Sequence, residues 1–242
     1  MHRLVVPPET LQGDEVLLRE GPFHHLCRVL RKKAGDEVLL VDGKGGCCRC
    51  RLACVGKNEA ALQILERWQE REMGLPIRLI QGLPKAEKMD LILQKGTELG
   101  VTEFSPVTTE RSIPLLSRER REHRLWRWQR IVEEAAGQCR RPLVPSIHPV
   151  TDLKQALASC QGGLRLACWE QEGCPLRQLL PSSAPESAAV LIGPEGGFSA
   201  TEIDLAKEAG FVPVSLGPRI LRTETAGLVM AAWLQFLYGD MG

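Results

Sequence analysis

Charged side chains that could do chemistry are concentrated at two glycine-containing turns in the C-terminal half of the sequence. The first turn, GPEGG, holds one carboxylate among three glycines, and the second, GPRILRTE, holds two arginines and a carboxylate. Glycine lets backbone N–H groups approach a ligand closely, and the charged side chains can bind polar or ionic groups. The charged residues in question are Glu195, Arg219, Arg222 and Glu224.

Neither turn is a phosphate-binding loop. The patterns GxxxxGK[ST] and GxGxxG are both absent, and the first turn carries no lysine but has the carboxylate of Glu195 in its middle, so a nucleoside triphosphate is disfavoured. A ligand with polar or cationic groups fits better, and Leu191, Leu216, Ile220 and Leu221 could wall an adenine. Each turn taken alone is compatible with an ordinary connection. Both together are harder to explain in that way.

The elements around these turns predict that they face one pocket. Apolar runs at Ala188–Ile192 and Phe211–Leu216 precede the turns and are typical of buried parallel strands. Between them, Ser199 and Glu202 have capping-box spacing, which predicts a helix from Thr201 to Ala209. In open α/β sheets, ligands bind at the carboxyl ends of the strands.

The rest of residues 76–242 continues the alternation of strand and helix, which predicts an α/β fold with a parallel sheet. The predicted strands are Ile77–Gly82, Val101–Val107 and Arg165–Trp169, and the predicted helices are Lys85–Gly100, an arginine-rich helix reaching Ala136, Leu153–Ser159 and Thr225–Tyr238.

Residues 1–70 have short alternating runs that predict a small β-barrel, and Trp68–Leu75 is predicted to be a linker. The predicted strands are Glu15–Leu18, Glu37–Val41, Arg49–Val55 and Ala60–Leu65. Cysteines lie in the third of these, but their spacing favours a half-buried strand over a metal site, with Cys48, Cys50, Leu52 and Cys54 on one face.

The composition and the distribution of apolar residues predict a cytoplasmic protein without a membrane-spanning segment. The chain has 242 residues, is 43% hydrophobic and has a net charge of +1, with no apolar run long enough for a membrane span and no apolar core of a secretory signal. Nine cysteines in such a chain favour reduced thiols.

Charge is unevenly distributed. Residues 111–141 contain nine arginines and four acids, which predicts a phosphate-binding surface. Trp126 and Trp128 in the same segment are compatible with base stacking or with core anchoring.

Three segments resemble the RsmE family, the bacterial 16S ribosomal RNA (uracil-N3) methyltransferases of the SPOUT superfamily. They are KGTELGV (95–101), LIGPEGGFS (191–199) and LGPRILRTETA (216–226). The segment HHLCRVLR (24–31) looks like the family's PUA-like RNA-binding domain. The resemblance implies a PUA-like barrel followed by a SPOUT domain with a deep trefoil knot, S-adenosylmethionine as cofactor, 16S rRNA or the small ribosomal subunit as partner, and a homodimer. It implies no metal.

The resemblance also implies roles for individual residues. The expected cofactor-binding residues are Leu191, Ile192, Gly193, Pro194, Glu195, Gly196, Gly197, Leu216, Gly217, Ile220, Leu221, Thr225 and Ala226. The expected RNA-binding residues are Arg3, His24, Arg28, Arg31, Gln138 and Arg141. One departure affects the last two, because Gly137-Gln138-Cys139-Arg140-Arg141 stands where the family commonly has Glu-Gln-x-Gly-Arg. The closing helix Thr225–Tyr238 is expected to form the dimer interface or, alternatively, to cover its own sheet.

The implied reaction needs an aligned methyl group and a uracil N3 that has lost its proton. Arg222 is the first candidate for stabilising the developing anion and Arg219 the second. Glu224 or Glu195 is expected to accept the proton through water or, preferably, to orient the arginines or the cofactor. The alternatives are a ribose 2′-hydroxyl as target and an RNA-binding protein without turnover.

Overall fold

The computed structural model describes residues 2–112, 118–171 and 173–242 of the chain. The chain forms two compact units: residues 1–72 with 133–144 make up the first, and residues 73–132 with 145–242 make up the second. The segment 133–144 thus belongs to the first unit although it follows much of the second in sequence.

The first unit is built on a five-stranded sheet that curls into a half-barrel. Its strands are β1 (Arg3–Val5), β2 (Glu15–Arg19), β3 (Glu37–Val41), β4 (Gly46–Val55) and β5 (Glu59–Gln69). They lie in the order β1-β3-β4-β5-β2, and only β1 pairs in parallel, with β3. Between β2 and β3, a short helix α1 (Glu20–Phe23) continues into a π-helical turn, His24–Val29. The four predicted strands are confirmed, whereas β1 was not predicted.

The core of the first unit is formed by the inward faces of these strands and by the helical turn. Val16, Leu18, Leu26, Val38 and Leu40 are almost completely buried in it, together with Cys48, Cys50, Leu52 and Leu62. Cys54 does not share this face as predicted but is exposed, because a register shift between Leu52 and Cys54 breaks the alternation of β4. β5 continues to Gln69, so Trp68 belongs to the ladder rather than to a linker.

The second unit contains an eight-stranded sheet and five helices among its described residues. The strands are β6 (Ile77–Gly82), β7 (Val101–Thr108), β8 (Ser146–Ile147), β9 (Thr151–Asp152), β10 (Leu164–Cys168), β11 (Cys174–Pro175), β12 (Ala188–Ile192) and β13 (Val212–Ser215). The helices are α2 (Lys88–Glu98), α3 (Arg118–Cys139), α4 (Leu153–Ala158), α5 (Ala200–Glu208) and α6 (Thr223–Tyr238), and α3 continues from this unit into the first.

All strand pairs of this sheet are parallel, as predicted. Its order is β11-β13-β10-β12-β6-β7-β8, so β12 lies between β6 and β10 at the centre. The five residues of β12 are all buried. The carboxyl ends of β6, β12, β10 and β13 therefore meet at one edge, which is where the two glycine turns emerge.

Helices cover the sheet. α5 begins with the predicted capping box: Ser199 Oγ accepts a hydrogen bond from Glu202 N at 3.2 Å, and Glu202 Oε2 accepts one from Ser199 N at 2.9 Å. α6 begins at Thr223, two residues earlier than predicted, because Arg222 already has the extended backbone of an N-cap residue (φ −66°, ψ 153°). Glu224 and Thr225 thus lie in the first turn of a helix.

Candidate active site

A cavity of about 570 Å³ opens at the carboxyl edge of the sheet in the second unit. Its walls come from the ends of β10, β12 and β13, from the two glycine turns and from the first turn of α6. Pockets of this size, with apolar walls and a few polar groups, are typical of small-molecule sites. Both predicted turns thus face one cavity.

Most of the predicted site residues in the turns line this cavity. They are Ile192, Gly193, Pro194, Glu195 and Gly197 of the first turn, Leu216, Gly217, Arg219, Ile220 and Leu221 of the second, and Arg222 and Ala226 at the start of α6. Ile220 is 82% exposed at the rim, so an apolar side chain here stands uncovered beside the opening.

Four predicted residues stand outside the described lining. Leu191 points into the core with Phe198 and Ile203, because alternate residues of β12 face opposite sides of the sheet. Gly196 is also outside the lining, and its backbone carbonyl accepts a hydrogen bond of 2.8 Å from Arg111 Nη1. Thr225 and Glu224 lie in the first turn of α6, where Thr225 is exposed.

Thr223 joins the two turns through a buried hydrogen-bond chain. Its hydroxyl donates to the carbonyl oxygen of Gly193 at 2.6 Å and accepts from Nε2 of Gln81 at 2.8 Å. Gln81 is fully buried near the end of β6, and its Nε2 also donates to the carbonyl of Gly82. Buried polar groups of this kind fix geometry, since leaving one unpaired is costly.

Lys88, at the start of α2, contributes a cation that the sequence did not single out. Its Nζ lies 2.8 Å from Glu195 Oε1 and 3.3 Å from Glu224 Oε2. The hydrogen bond to Glu195 is the main reason that the pKa of Lys88 lies above its ordinary value. Burial raises the pKa of Glu195, but hydrogen bonds from Lys88 and from backbone N–H groups outweigh it, so the pKa is lowered.

Arg222 and Arg219 project from the second turn and are exposed. The side chain of Arg222 is 81% exposed, and its Nη1 lies 4.0 Å from Glu224 Oε1. The carboxylate of Glu224 therefore stands between two cations, Lys88 and Arg222. An exposed guanidinium at the rim of a cavity is available to an incoming ligand.

The end of β10 supplies a third wall that was not predicted. Cys168, Trp169 and Glu170 line the cavity. Burial raises the pKa of the Cys168 thiol to about 12, so it is an uncharged, unreactive lining group. The strand itself was predicted, and the rule that ligands bind at carboxyl ends would have identified these residues too.

The predicted RNA-binding residues divide into two groups, all within the first unit. His24, Arg28, Arg31 and Gln138 are exposed. Arg3 and Arg141 are instead buried in ion pairs, Arg3 with Glu70 at 2.8 Å and Arg141 with Glu72 at 2.8 Å. Arg141 thus joins residues 133–144 to residues 1–72, and Arg3 does the same through a hydrogen bond of 3.0 Å from its Nη1 to the carbonyl oxygen of Arg140.

The two tryptophans of α3 have different surroundings. Trp128 is 4% exposed and anchors the helix in the core, whereas Trp126 is 59% exposed, with the guanidinium of Arg130 5.3 Å from its ring. Core anchoring thus holds for Trp128, whereas base stacking by the exposed Trp126 stays a prediction.

Over the described ranges of the chain, no helix has the length and apolar content required to cross a membrane. The same ranges contain no cluster of histidine, cysteine, aspartate and glutamate that could hold a metal ion.

Comparison with known families gives matches over both units. An RNA methyltransferase domain model matches residues 71–235, and an RNA methyltransferase PUA domain model matches residues 18–65. The ribosomal RNA small subunit methyltransferase E of Synechocystis sp. is 39% identical, over 98% of this chain and 78% of its own length. The protein of the same name from Bacillus subtilis is 34% identical, over 92% of this chain and 87% of its own.

Solved structures agree with these matches. A ribosomal RNA small subunit methyltransferase E from Neisseria gonorrhoeae, crystallised with S-adenosyl methionine, has 37% identity and a TM-score of 0.90 over 100% of both chains. A putative methyltransferase from Legionella pneumophila, in complex with the bound cofactor, has 34% identity and a TM-score of 0.89 over 98% of both chains.

These matches confirm the resemblance, the SPOUT-type α/β class and the PUA-like first domain, whereas the trefoil knot stays a prediction. The chain belongs to the ribosomal RNA small subunit methyltransferase E (RsmE) family of RNA methyltransferases.

Proposed function

We propose that this protein transfers a methyl group from S-adenosylmethionine to N3 of a uridine in 16S rRNA of the small ribosomal subunit. The observation that carries the proposal is the cavity between the two glycine turns, in a chain that aligns over its whole length with a cofactor-bound relative. Small-subunit rRNA as substrate would place the protein in the cytoplasm.

The residues of the cavity fit this cofactor. Ile192, Leu216, Ile220 and Leu221 offer apolar contacts to an adenine, while the backbone of the turns offers hydrogen bonds. Gly197, with φ +69°, permits the tight first turn. Glu170 and Glu195 supply carboxylates at the wall for hydroxyl or ammonium groups. When bound, the cofactor would supply an activated methyl group.

The protein side chains would then position the uridine and favour its deprotonated form. Arg222 would donate hydrogen bonds to the anion that develops over N3 and the neighbouring carbonyls, with Arg219 as a second donor. Glu224, between Lys88 and Arg222, orients these cations, and the N3 proton passes to water. Correct alignment supplies much of the rate enhancement without a covalent intermediate.

RNA recognition is assigned to the N-terminal domain, residues 1–70, with the methyltransferase domain at 76–242. The exposed His24 and Arg28 of the helical turn, Arg31 just after it, and Gln138 would contact flanking RNA. The target uridine must leave its stack to enter a cavity, and contacts on both sides of it would offset that cost.

A homodimer is supported by α6. Its buried side includes Met230, Ala231 and Leu234, whereas Trp233, Phe236 and Leu237 are 42%, 66% and 46% exposed. The helix thus covers its own sheet and still presents apolar surface outward. An exposed apolar patch of this kind is what a two-fold dimer buries.

Mass mapping of methylated RNA tests the proposed function. The purified protein, incubated with cofactor and either small subunits or 16S rRNA fragments, should add one methyl group to a uracil base. Methylation of a ribose instead would establish the alternative target, a 2′-hydroxyl. Absence of methyl transfer to both substrates, combined with no heat of cofactor binding in calorimetry, would leave an RNA-binding protein without turnover.

A further inference from the structure

Lys88 connects three separate elements at the mouth of the cavity. It is the first residue of α2, whereas Glu195 belongs to the first glycine turn and Glu224 to the first turn of α6. Its ammonium lies 2.8 Å from the first carboxylate and 3.3 Å from the second. The Lys88 side chain thus links the first glycine turn to α6, the helix that begins directly after Arg222.

The two oxygens of Glu224 face different cations. Oε2 is buried and accepts no hydrogen bond from the described residues, and Lys88 approaches it at 3.3 Å as an ion pair. Oε1 faces Arg222 Nη1 at 4.0 Å. The side chain of Glu224 is only 14% exposed, so its charge needs a nearby cation to offset lost hydration.

Glu195 is held at the same point from a second direction. The backbone N–H of Lys85 donates to its Oε1 at 3.1 Å and to its Oε2 at 3.2 Å. Its carboxylate is thereby fixed relative to the start of α2, which in turn fixes the ammonium of Lys88. One end of this arrangement is Glu195, which is held by several partners, and the other end is the exposed Arg222.

We propose that Lys88 is a positioning residue for methyl transfer, which acts through Glu224 to aim the guanidinium of Arg222 at the uracil ring. This inference rests on the proposed function and adds to it a chain of charges, Glu195–Lys88–Glu224–Arg222. Without Lys88, the carboxylate of Glu224 would pair with Arg222 alone. A bidentate ion pair between them would occupy the N–H donors of Arg222 that the uracil needs.

A double-mutant cycle tests this dependence. Lys88→Met should lower kcat for methyl transfer by about tenfold, and Lys88→Arg should recover a large part of it because a cation is restored. In the background Arg222→Ala, Lys88→Met should change kcat by less than about twofold, since its target is already absent. Lys154→Met, which alters an exposed lysine on α4, is the matched control and should leave kcat unchanged.

Two results would overturn the inference while the proposed function stands: wild-type kcat in Lys88→Met, or equal losses from Lys88→Met with and without Arg222. Equal losses would mean that Lys88 acts independently of the arginine, for example through general folding, which thermal unfolding of the same variants would reveal. A wild-type protein that transfers no methyl group to small subunits or 16S rRNA would instead remove the proposed function itself, and this inference with it.

Discussion

Thr223 Oγ1 and the backbone carbonyl of Gly193 are joined by a hydrogen bond of 2.6 Å, although the two residues belong to different turns of the candidate site. Gln81 completes the junction, since its Nε2 donates to the same hydroxyl at 2.8 Å. Thr223 is 7% exposed and Gln81 is fully buried. The threonine hydroxyl is therefore one direct link between the two turns.

Thr223→Val should separate the two turns while keeping the side-chain volume. Because it leaves the Gly193 carbonyl and the Gln81 amide without this partner, the free energy of unfolding should fall by about 1–3 kcal/mol. Urea denaturation measures this change, and calorimetry should show weaker cofactor binding. Thr223→Ser keeps the hydroxyl and should retain most of both; equal losses in the two variants would show that the methyl group, not the hydrogen bond, matters.

Gly82→Ala should displace the first glycine turn. A Cβ at this position would lie 2.7 Å from Cδ and 2.8 Å from N of Pro194, so the backbone of the turn must move. Overpacking of this kind costs about 1–3 kcal/mol, and cofactor affinity should fall by about tenfold or more. Calorimetric titration with S-adenosylmethionine measures the loss.

Gly137→Ala is the matched control for that substitution. Outside the backbone of α3 itself, the Cβ would meet only Val5 Cγ2 among the described residues, at an ordinary 3.8 Å. Stability should rise by about 0.5–1 kcal/mol from helix propensity, with cofactor affinity unchanged. If Gly82→Ala binds the cofactor as tightly as Gly137→Ala does, the first turn does not contact it.

Arg222→Ala should leave the fold intact and reduce methyl transfer by well over about tenfold, as expected for the loss of a donor to a developing anion. The fold should persist because the side chain is 81% exposed. Single-turnover assays with small-subunit RNA measure the rate, and circular dichroism checks the fold. Arg177→Ala, an exposed arginine elsewhere in the second unit, should be neutral; unchanged turnover in Arg222→Ala would remove this residue from the mechanism.

The Lys88–Glu195 pair should be insensitive to pH over a wide range. The lowered pKa of Glu195 gives stability that is present above its ordinary value of 4.5 and is lost as pH falls through the folded value. The raised pKa of Lys88 gives stability that is present below 10.5 and is lost as pH rises through the folded value. The difference in unfolding free energy between wild type and Lys88→Met should thus stay constant from about pH 5 to 10 and shrink outside it. A change near neutral pH would contradict the pairing.

The cysteines should differ sharply in reactivity. Cys54 and Cys174 are exposed, whereas burial, the largest cause in each case, raises the pKa of Cys47 to about 11 and those of Cys50 and Cys168 to about 12. Iodoacetamide at about pH 8 should therefore modify the two exposed thiols first, because only a thiolate attacks. Peptide mass spectrometry reads the order, and labelling of Cys168 as early as Cys54 and Cys174 would contradict the raised pKa of this thiol.

The sequence predicted the turns and their strands because glycine, proline and apolar runs leave local signals. Lys88 left no such signal: on an amphipathic helix it resembles any solvated lysine, and its partners are more than 100 residues away in sequence. The contact of Gln81 with Thr223 also left no local signal, because Gln81 lies inside a predicted strand. Contacts between distant segments depend on the sheet order, which periodicity does not encode.

Residue type was also a poor guide to the exposure of the arginine side chains. Arg3 and Arg141 were predicted to contact RNA from their residue type and family resemblance, yet both guanidinium groups are buried against glutamates of the first unit. Arg28 and Arg31, of the same type, are exposed. Residue type alone does not distinguish an arginine buried in an ion pair from one whose side chain is exposed.

The central place of β12 has a consequence for synthesis on the ribosome. β6 is translated early, but the strand that fills the space between it and β10 emerges only with Ala188–Ile192, near the end of the chain. A nascent polypeptide that pauses before Ala188 therefore carries an open β6 edge, and such edges invite mispairing. Translation speed through this last segment, and chaperones that shield it, should decide how much of the newly made protein matures correctly.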